Sequence, residues 1–481
     1  MENLLHIAYD AEDFRSRAHQ LVDQLADYIS ECRDGKPMPV LPPAEPEELY
    51  SHWLQDFNHE GFDFQQFCQT IINQSIHIHH PRYVGHQVAP PAPMAALTEL
   101  MSALLNNGMA IYEMGPAATA IERVVVEWLA KHVGLGDRSG GVLTSGGSAG
   151  NLTGLLAARQ TICSHNVWDE GALEGQQLAV MVSEEAHYSV ARAARIMGWG
   201  AKGVIKIPVN QELQADDDQL ENCLAEARAQ GLQVIAIVGN ACSTSTGSYD
   251  DLHSMSEFAR KHNIWFHVDG AHGGAAVFSG KYQHLVKGME LADSVVIDFH
   301  KMMLTPALTT AVLFKDVAHS FETFAQKAEY LLSNGTQKPW FDGAARTLEC
   351  TKKMMSIKIY ALIKQYGKEL FSEFVTQLYD LGQAFADMIR NEPGFELAIE
   401  PQSNIVCFRY WPNTLNMPIN YFTAQIRSQL LRDERFYVVQ TYVRGDTYLR
   451  TTLMNPFTST NDLSELLHLI KQIADEIIAD K

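Results

Sequence analysis

Ser294-Val295-Val296-Ile297-Asp298-Phe299-His300-Lys301 sets a short apolar run directly ahead of an aspartate, a histidine and a lysine. The run 294–297 is β-branched and uncharged, which reads as a buried strand. A lysine just past the end of such a strand costs free energy unless it is paired, covalently used or able to reach water. Two readings follow: a loop cation facing solvent, or an amine that condenses with an aldehyde cofactor. The stretches on either side decide between them.

Upstream the same pattern recurs. Residues 141–144, 178–182, 203–207, 234–238 and 264–268 are short apolar runs, and helical spacing fills most gaps between them, as at 152–160, 218–230 and 254–262. Strands alternating with helices predict an α/β fold with a large, mostly parallel sheet. Ligands of such sheets bind beyond the carboxyl ends of the strands.

Ahead of this region, Phe14, Ala18, Leu21, Val22, Leu25 and Ile29 recur at helical spacing within 11–33. One helix cannot bury that stripe alone, so it packs on the rest of the chain or on another subunit. Prolines 37, 39, 42 and 43 mark an extended arm, and further helices are predicted at 62–75, 94–107 and 117–133. His77, His79 and His80 are clustered, but their spacing is wrong for zinc and no cysteine or carboxylate adjoins them. They read as a turn fixed by Pro81, and no metal is expected. Beyond the sheet come a loop at 336–345, a helix at 348–365, and strands at 404–410, 436–442 and 447–453. Arg444-Gly445-Asp446 marks a hairpin between the last two. Ser459 and Asp462 fit a capping box ahead of a final amphipathic helix. The expected division is an N-terminal helical arm (1–95), a large α/β domain (96–370) and a small C-terminal α+β domain (371–481).

Composition narrows the function classes. The chain has 481 residues, 46% hydrophobic and 20% charged, enough for a large core and more than one domain. Its net charge, 37 − 57 = −20, argues against nucleic acid and anionic membrane as partners. A small anionic ligand at a locally basic site stays open. Seven cysteines without a C-x-x-C pair suggest reduced thiols. No signal-like N-terminus and no apolar run of membrane-spanning length is present, so a soluble cytoplasmic protein is expected.

Chemistry-bearing residues follow the predicted strands in order. Ser145-Gly146-Gly147-Ser148-Ala149-Gly150-Asn151 is a glycine-rich strand-to-helix turn, able to cradle an anion on free backbone N–H groups. It matches neither the dinucleotide fingerprint nor the P-loop. His187 follows the strand at 178–182 and could stack on a ring. Ser243, Thr244 and Ser245 offer hydroxyls after the next strand. Asp269 ends the strand at 264–268, in Trp265-Phe266-His267-Val268-Asp269-Gly270-Ala271-His272-Gly273-Gly274, where a carboxylate can hold a ring nitrogen protonated. Each has an ordinary reading: a tight turn, a capped helix end, loop hydroxyls, a turn aspartate. Their order, ending at His300-Lys301, assembles a site for a phosphorylated pyridine aldehyde bound to lysine.

At these residues the chain resembles the pyridoxal-phosphate-dependent amino-acid decarboxylases of the glutamate, cysteine-sulfinate and aromatic amino-acid group. The matching motifs are His80-Pro81-Arg82-Tyr83, Tyr112-Glu113 with Pro116, the Gly146-Gly147 turn, Ala186-His187-Tyr188-Ser189, His267-Val268-Asp269-Gly270-Ala271 with Gly273-Gly274, His300-Lys301-Met302-Met303, and Arg450 near Asn455-Pro456. They span roughly His79 to Pro456. The resemblance implies a fold-type-I PLP-dependent transferase-like fold and an L-amino-acid α-decarboxylase releasing CO2 and a primary amine. It implies that Lys301 forms the imine with pyridoxal 5′-phosphate, Asp269 pairs with the pyridine nitrogen and His187 stacks on the ring. It places Ser148, Ala149 and His300 at the phosphate, and Ser243, Ala271 and Asp298 around the cofactor. Arg450 would reach the substrate carboxylate, with His86, Gln87 and Val88 lining the side-chain pocket and Ala110 opposite. A homodimer is implied, with the N-terminal arm crossing to the partner.

Two departures stand out. Asp298 lies where that group usually has asparagine. The loop at 331–346 lacks the tyrosine that usually returns a proton to the substrate carbon, which leaves Tyr330, at the loop's base, and His187 as candidate donors. His86, Gln87 and Ala110 suit a polar substrate, acidic or diamino, better than an aromatic one. Alternatives are an aromatic amino-acid decarboxylase, a decarboxylating aldehyde synthase, a transamination or oxidative deamination on the same cofactor, and a catalytically degenerate PLP-binding regulator. The intact Lys301, Asp269 and His187 speak against the last.

Overall fold

The computed structural model describes residues 3–324, 340–413 and 415–479. Two compact units are distinct. The larger, Gln87–Gln383 with Ile399–Val406, is built on a seven-stranded sheet. Its strands are β1 (Gly140–Thr144), β2 (Gln177–Ser183), β3 (Val204–Ile207), β4 (Leu232–Asn240), β5 (Trp265–Asp269), β6 (Ser294–Asp298) and β7 (Thr310–Phe314), in the order β1-β7-β6-β5-β4-β2-β3. Strands β2 to β6 pair in parallel, whereas β7 runs antiparallel to both β1 and β6. The mostly parallel α/β sheet read from the sequence is present. Strands β5, β6 and β7 are buried along their whole length, which accounts for their uninterrupted apolar character.

Sequence reading missed β7. Its Thr310-Ala311-Val312-Leu313-Phe314 follows Met302-Met303-Leu304-Thr305-Pro306-Ala307-Leu308-Thr309, where Thr305-Pro306 and Thr309 are the signals that precede it. The helix Gly147–Ile162 crosses the sheet closely because glycines face it. A Cβ on Gly150 would lie 3.1 Å from Val296, and one on Gly154 only 2.6 Å from the His267 ring. Leu152, Leu155 and Leu156 of this helix join Val180, Val238 and Val296 in one core cluster. Each such side chain is worth about 1.5–3 kcal/mol of burial.

The helix expected at 348–365 begins only at Ser356 and runs Ser356–Tyr366. The preceding residues are held by tertiary bonds instead: Thr351 Oγ1 accepts the Met109 N–H, and Lys352 Nζ donates to Glu122 and to the Leu143 carbonyl. The helix Glu369–Asn391 had no counterpart in the sequence reading.

The second unit comprises Met1–His86, Ala384–Ala398 and Cys407–Lys481. Among its helices are Ala11–Arg33, Pro46–Asn58 and Phe64–Gln74, the middle one missed from sequence. A four-stranded antiparallel sheet orders β10 (Val439–Val443), β11 (Asp446–Thr452), β9 (Ile405–Tyr410) and β8 (Phe395–Leu397). Arg444 and Gly445 turn the β10–β11 hairpin at φ 52° and 87°, the paired left-handed conformation that a tight hairpin requires. The capping box forms: the Asp462 N–H donates to Ser459 Oγ, and the Ser459 N–H donates to Asp462 Oδ2 at 2.9 Å.

In the histidine turn, His77 Nδ1 lies 3.2 Å from the Tyr28 hydroxyl, and His80 Nδ1 accepts the Arg82 N–H. Among the described residues no group of His, Cys, Asp or Glu could hold a metal ion. No helix among them is long and apolar enough to cross a membrane.

Candidate active site

The carboxyl ends of the parallel strands deliver the polar residues of the large unit to one edge. Asp298 ends β6, and its buried carboxylate accepts the Thr310 hydroxyl at 2.5 Å. Its other oxygen lies 3.1 Å from Lys301 Nζ and 3.6 Å from His300 Nε2. Burial pushes the Lys301 amine down, but the Asp298 and Asp269 carboxylates overcome that, and its pKa is raised above the ordinary lysine value. His300 is oriented by the residue just ahead of β7, its Nδ1 lying 2.9 Å from the Thr309 carbonyl.

Asp269 ends β5 and is buried. Its Oδ1 accepts the Ala271 N–H at 3.2 Å, and its Oδ2 accepts Asn151 Nδ2 at 2.8 Å. Asn151 also reaches Ser189 Oγ at 2.8 Å and His267 Nε2 at 3.0 Å. His187 caps the helix Tyr188–Ile196 and stands 2.8 Å from Ser189 Oγ through Nδ1. Burial lowers the pKa of His187, so its neutral form is favoured.

The glycine-rich turn opens the helix Gly147–Ile162, with Gly146 at φ 120° as its cap. The first rung of the helix is Gly150 N–H to the Gly146 carbonyl, which leaves the N–H groups of Gly147, Ser148 and Ala149 ahead of the ladder. A cavity of about 330 Å³ lies here. It is lined by Ser145, Gly146, Gly147, Ser148, Asn151, His187, Asn240, Cys242, Thr244, Asp269, Ala271, His272, Asp298, His300, Lys301 and Leu308. One chamber thus joins an amine, two carboxylates, an imidazole and a helix N-terminus.

Of the cofactor candidates, Ala149 and Ser243 are absent from this lining, and Ala149 offers the site only its backbone N–H, while Ser243 is turned aside. Its hydroxyl turns to Thr246 Oγ1 at 2.8 Å, and its neighbours Cys242 and Thr244 face the cavity instead. Gln87 and Ala110 belong to the large unit but do not line this cavity. His86 and Arg450 belong to the second unit. There His86 lies 5.6 Å from the Tyr437 ring, and burial together with Arg450 and Arg427 lowers its pKa. Tyr330 lies outside the described residues. Sequence reasoning gave no role to Asn151, His272 or Thr310. Asn151 and His272 stand inside quoted motifs, and four-residue spacing from Gly147 puts Asn151 on the same helix face. Thr310 lies on the strand that was missed.

An α/β sheet of this order with a lysine, an aspartate and a histidine at one helix N-terminus defines a fold-type-I pyridoxal-phosphate enzyme. Comparison with known proteins agrees. Residues 48–411 match the pyridoxal-dependent decarboxylase conserved domain, so the chain belongs to that family. L-2,4-diaminobutyrate decarboxylase of Acinetobacter baumannii is 30% identical, over 87% of this chain and 85% of the relative. Aspartate 1-decarboxylase of Aliivibrio fischeri is 29% identical, over 85% and 82%. The fold is that of the solved glutamate decarboxylase domain of diaminobutyrate-pyruvate transaminase and L-2,4-diaminobutyrate decarboxylase from Vibrio parahaemolyticus. The TM-score is 0.85 at 27% identity, covering 97% of this chain and 96% of that one. The protein is a pyridoxal-phosphate-dependent carboxy-lyase of amino acids.

Proposed function

We propose that the substrate is a polar L-amino acid, acidic or diamino, and that decarboxylation takes place in the cavity around Lys301. The relatives named above act on diaminobutyrate and aspartate. The named substrates of those two relatives carry the reading, and Gln87, which does not line the cavity around Lys301, is assigned to the side-chain pocket beside it. The Gln87 amide Nε2 is buried without an acceptor among the described residues, and a donor left so costs about 1–3 kcal/mol unless a ligand supplies an acceptor. Arg450 is assigned to the substrate carboxylate, and His86 and Ala110 to the side-chain pocket.

The residues present fit pyridoxal 5′-phosphate: Cβ atoms at Gly150 and Gly154 would push the cradle helix off the sheet, and the amine and ring-nitrogen carboxylate share its cavity. When bound, the cofactor supplies an electron sink for the pair released as CO2 departs. Lys301 would hold the aldehyde carbon covalently. Asp269 would keep the pyridine nitrogen protonated, and His187 would lie against the ring. The N–H groups of Ser148 and Ala149, with His300, would take the phosphate, and Ala271 and Thr244 would border the ring. Asp298 holds the Lys301 ammonium in place. The proton returned to the substrate carbon is assigned to His187 or Tyr330.

Exposed apolar side chains at Leu97, Leu100, Met101, Leu104 and Leu105 on the helix Pro93–Leu105 support a homodimer, and the scattered cysteines, none in a disulfide, support a cytoplasmic location. The three-part division at residues 95 and 370 stands as a proposal that limited proteolysis would test. The deciding experiment is CO2 release from a panel of L-amino acids, with products separated as amine or aldehyde. Release from aspartate, glutamate or 2,4-diaminobutyrate is expected. Release from aromatic amino acids alone would overturn the polar assignment. Aldehyde as the main product would favour the decarboxylating aldehyde synthase.

A further inference from the structure

A chain of short hydrogen bonds runs through the core beside the cofactor cavity, and each link admits one donor direction. Trp265 Nε1 can only donate, and it donates to Ser294 Oγ at 2.8 Å. Asn151 presents its amide nitrogen to Asp269 Oδ2 and to Ser189 Oγ, both at 2.8 Å. The flipped amide would set its oxygen against a carboxylate oxygen, so Oδ1 must face His267.

The 3.0 Å contact from Asn151 Oδ1 to His267 Nε2 therefore needs the proton on Nε2. Complete burial keeps His267 neutral, which makes its Nδ1 an acceptor. The Ser294 hydroxyl, already taking the Trp265 N–H, donates to that nitrogen at 2.7 Å. On the other branch Ser189 Oγ accepts from Asn151, and its own hydrogen is free for His187 Nδ1 at 2.8 Å. The Ser189 backbone N–H reaches the same nitrogen at 3.3 Å. Two donors converge on Nδ1, so the proton of a neutral His187 sits on Nε2. From Trp265 to Ser189 no member of the chain is more than 6% exposed, and water has little access to scramble the order.

We propose that Asn151 is a positioning residue that ties the Asp269 carboxylate and the His187 imidazole into one directed hydrogen-bond chain and fixes the His187 proton on Nε2. The ring that would lie against the cofactor thereby presents a donor at Nε2, while the same amide holds the Asp269 carboxylate that would pair with the ring nitrogen. The kinetic arm of the test rests on the decarboxylase reading. The tautomer does not, because it can be read in the chain with or without cofactor.

The experiment is NMR of the 15N-histidine-labelled protein, with the His187 signals assigned by their loss in His187→Gln. Wild type is expected to show only the Nε2–H form. Ser189→Ala removes a single oxygen and is expected to raise the Nδ1–H fraction at least several-fold, leaving the absorption band of the bound cofactor unchanged. In this variant kcat should fall while KM holds. Asn151→Ala should mix the tautomers as well, and it should shift the pH dependence of the cofactor band, because Asp269 loses its amide donor. Should Asn151→Ala not fold, Ser189→Ala decides. A Nδ1–H form in the wild type, or an unchanged tautomer in folded Ser189→Ala, overturns the proposal. So does a cofactor band in folded Asn151→Ala that titrates as in the wild type.

Discussion

Lys301 Nζ stands 3.1 Å from Asp298 Oδ2, three residues earlier in the chain. Asp298 is thus the counter-ion of the amine proposed to meet the cofactor aldehyde, and only the neutral amine can attack a carbonyl. The raised pKa of Lys301 makes cofactor capture slow at neutral pH and faster as pH rises through that pKa. Asp298→Asn removes the charge that stabilises the ammonium. Its capture rate, followed by growth of the imine absorption band in cofactor-free protein, should reach its plateau at lower pH than in the wild type. Coincident pH–rate profiles would show that Asp298 does not govern the amine.

Asp298 also borders the phosphate cradle. A Cβ at Gly147 would lie 3.3 Å from both of its carboxylate oxygens and 3.4 Å from the Ala271 Cβ. Gly147→Ala therefore crowds the mouth of the cradle, although alanine is the better helix former. The expected outcome is a thermal midpoint equal to or above that of the wild type, with cofactor affinity weaker by roughly tenfold or more, as for a lost hydrogen bond to a charged group. Equilibrium dialysis against pyridoxal phosphate measures it. Equal affinity in the two proteins would remove Gly147 from the cradle.

The sheet was legible because its buried parallel strands are short, mostly apolar runs, and the candidate site because its residues follow those runs. What the sequence hid has physical causes. The strand β7 is only five residues long and runs antiparallel where a further parallel strand was expected, so neither it nor Thr310, the partner of Asp298, was read. Asn151 looked like the polar end of a turn, and only the fold brings it to Asp269, 118 positions away. Ser243 was singled out from three hydroxyl residues in succession, which cannot be ranked without the turn that aims them. The helix at 348–365 was overcalled because spacing alone does not register the Lys352–Glu122 ion pair that holds its first residues off the helix.

The neutral, buried His267 predicts an acid-sensitive core. Burial lowers its pKa from 6.5 to about 4, so the unfolded chain binds a proton there that the folded chain refuses. Stability is intact above the unfolded value and is lost as pH falls from 6.5 toward 4, by on the order of 3 kcal/mol in all. The carboxyls of Asp217 and Asp250, pushed up to about 6 by burial, act in the opposite sense, favouring the fold as pH falls below 6. His267→Gln keeps a polar side chain but cannot take up the proton. Denaturant midpoints at several pH values should therefore fall less steeply below pH 6.5 in the variant. Parallel curves for the two proteins would show that His267 does not set the acid limb.

Gly154→Ala tests how tightly the cradle helix is pressed against that histidine. In an exposed helix the change would be worth about 1 kcal/mol in favour of alanine. Here the new Cβ would stand 2.6 Å from His267 Cε1 and 2.7 Å from its Nδ1. The ring can yield only by straining its hydrogen bonds, because Asn151 holds Nε2 at 3.0 Å and Ser294 holds Nδ1 at 2.7 Å. Overpacking of this kind costs about 1–3 kcal/mol, which outweighs the propensity gain. The variant should unfold at lower denaturant with an unchanged slope, and the displaced ring should also loosen the Asn151–Asp269 contact and weaken cofactor retention. A midpoint above that of the wild type would mean the helix can lift from the sheet at no cost, and the cradle would then not be held by the contact between Gly154 and His267.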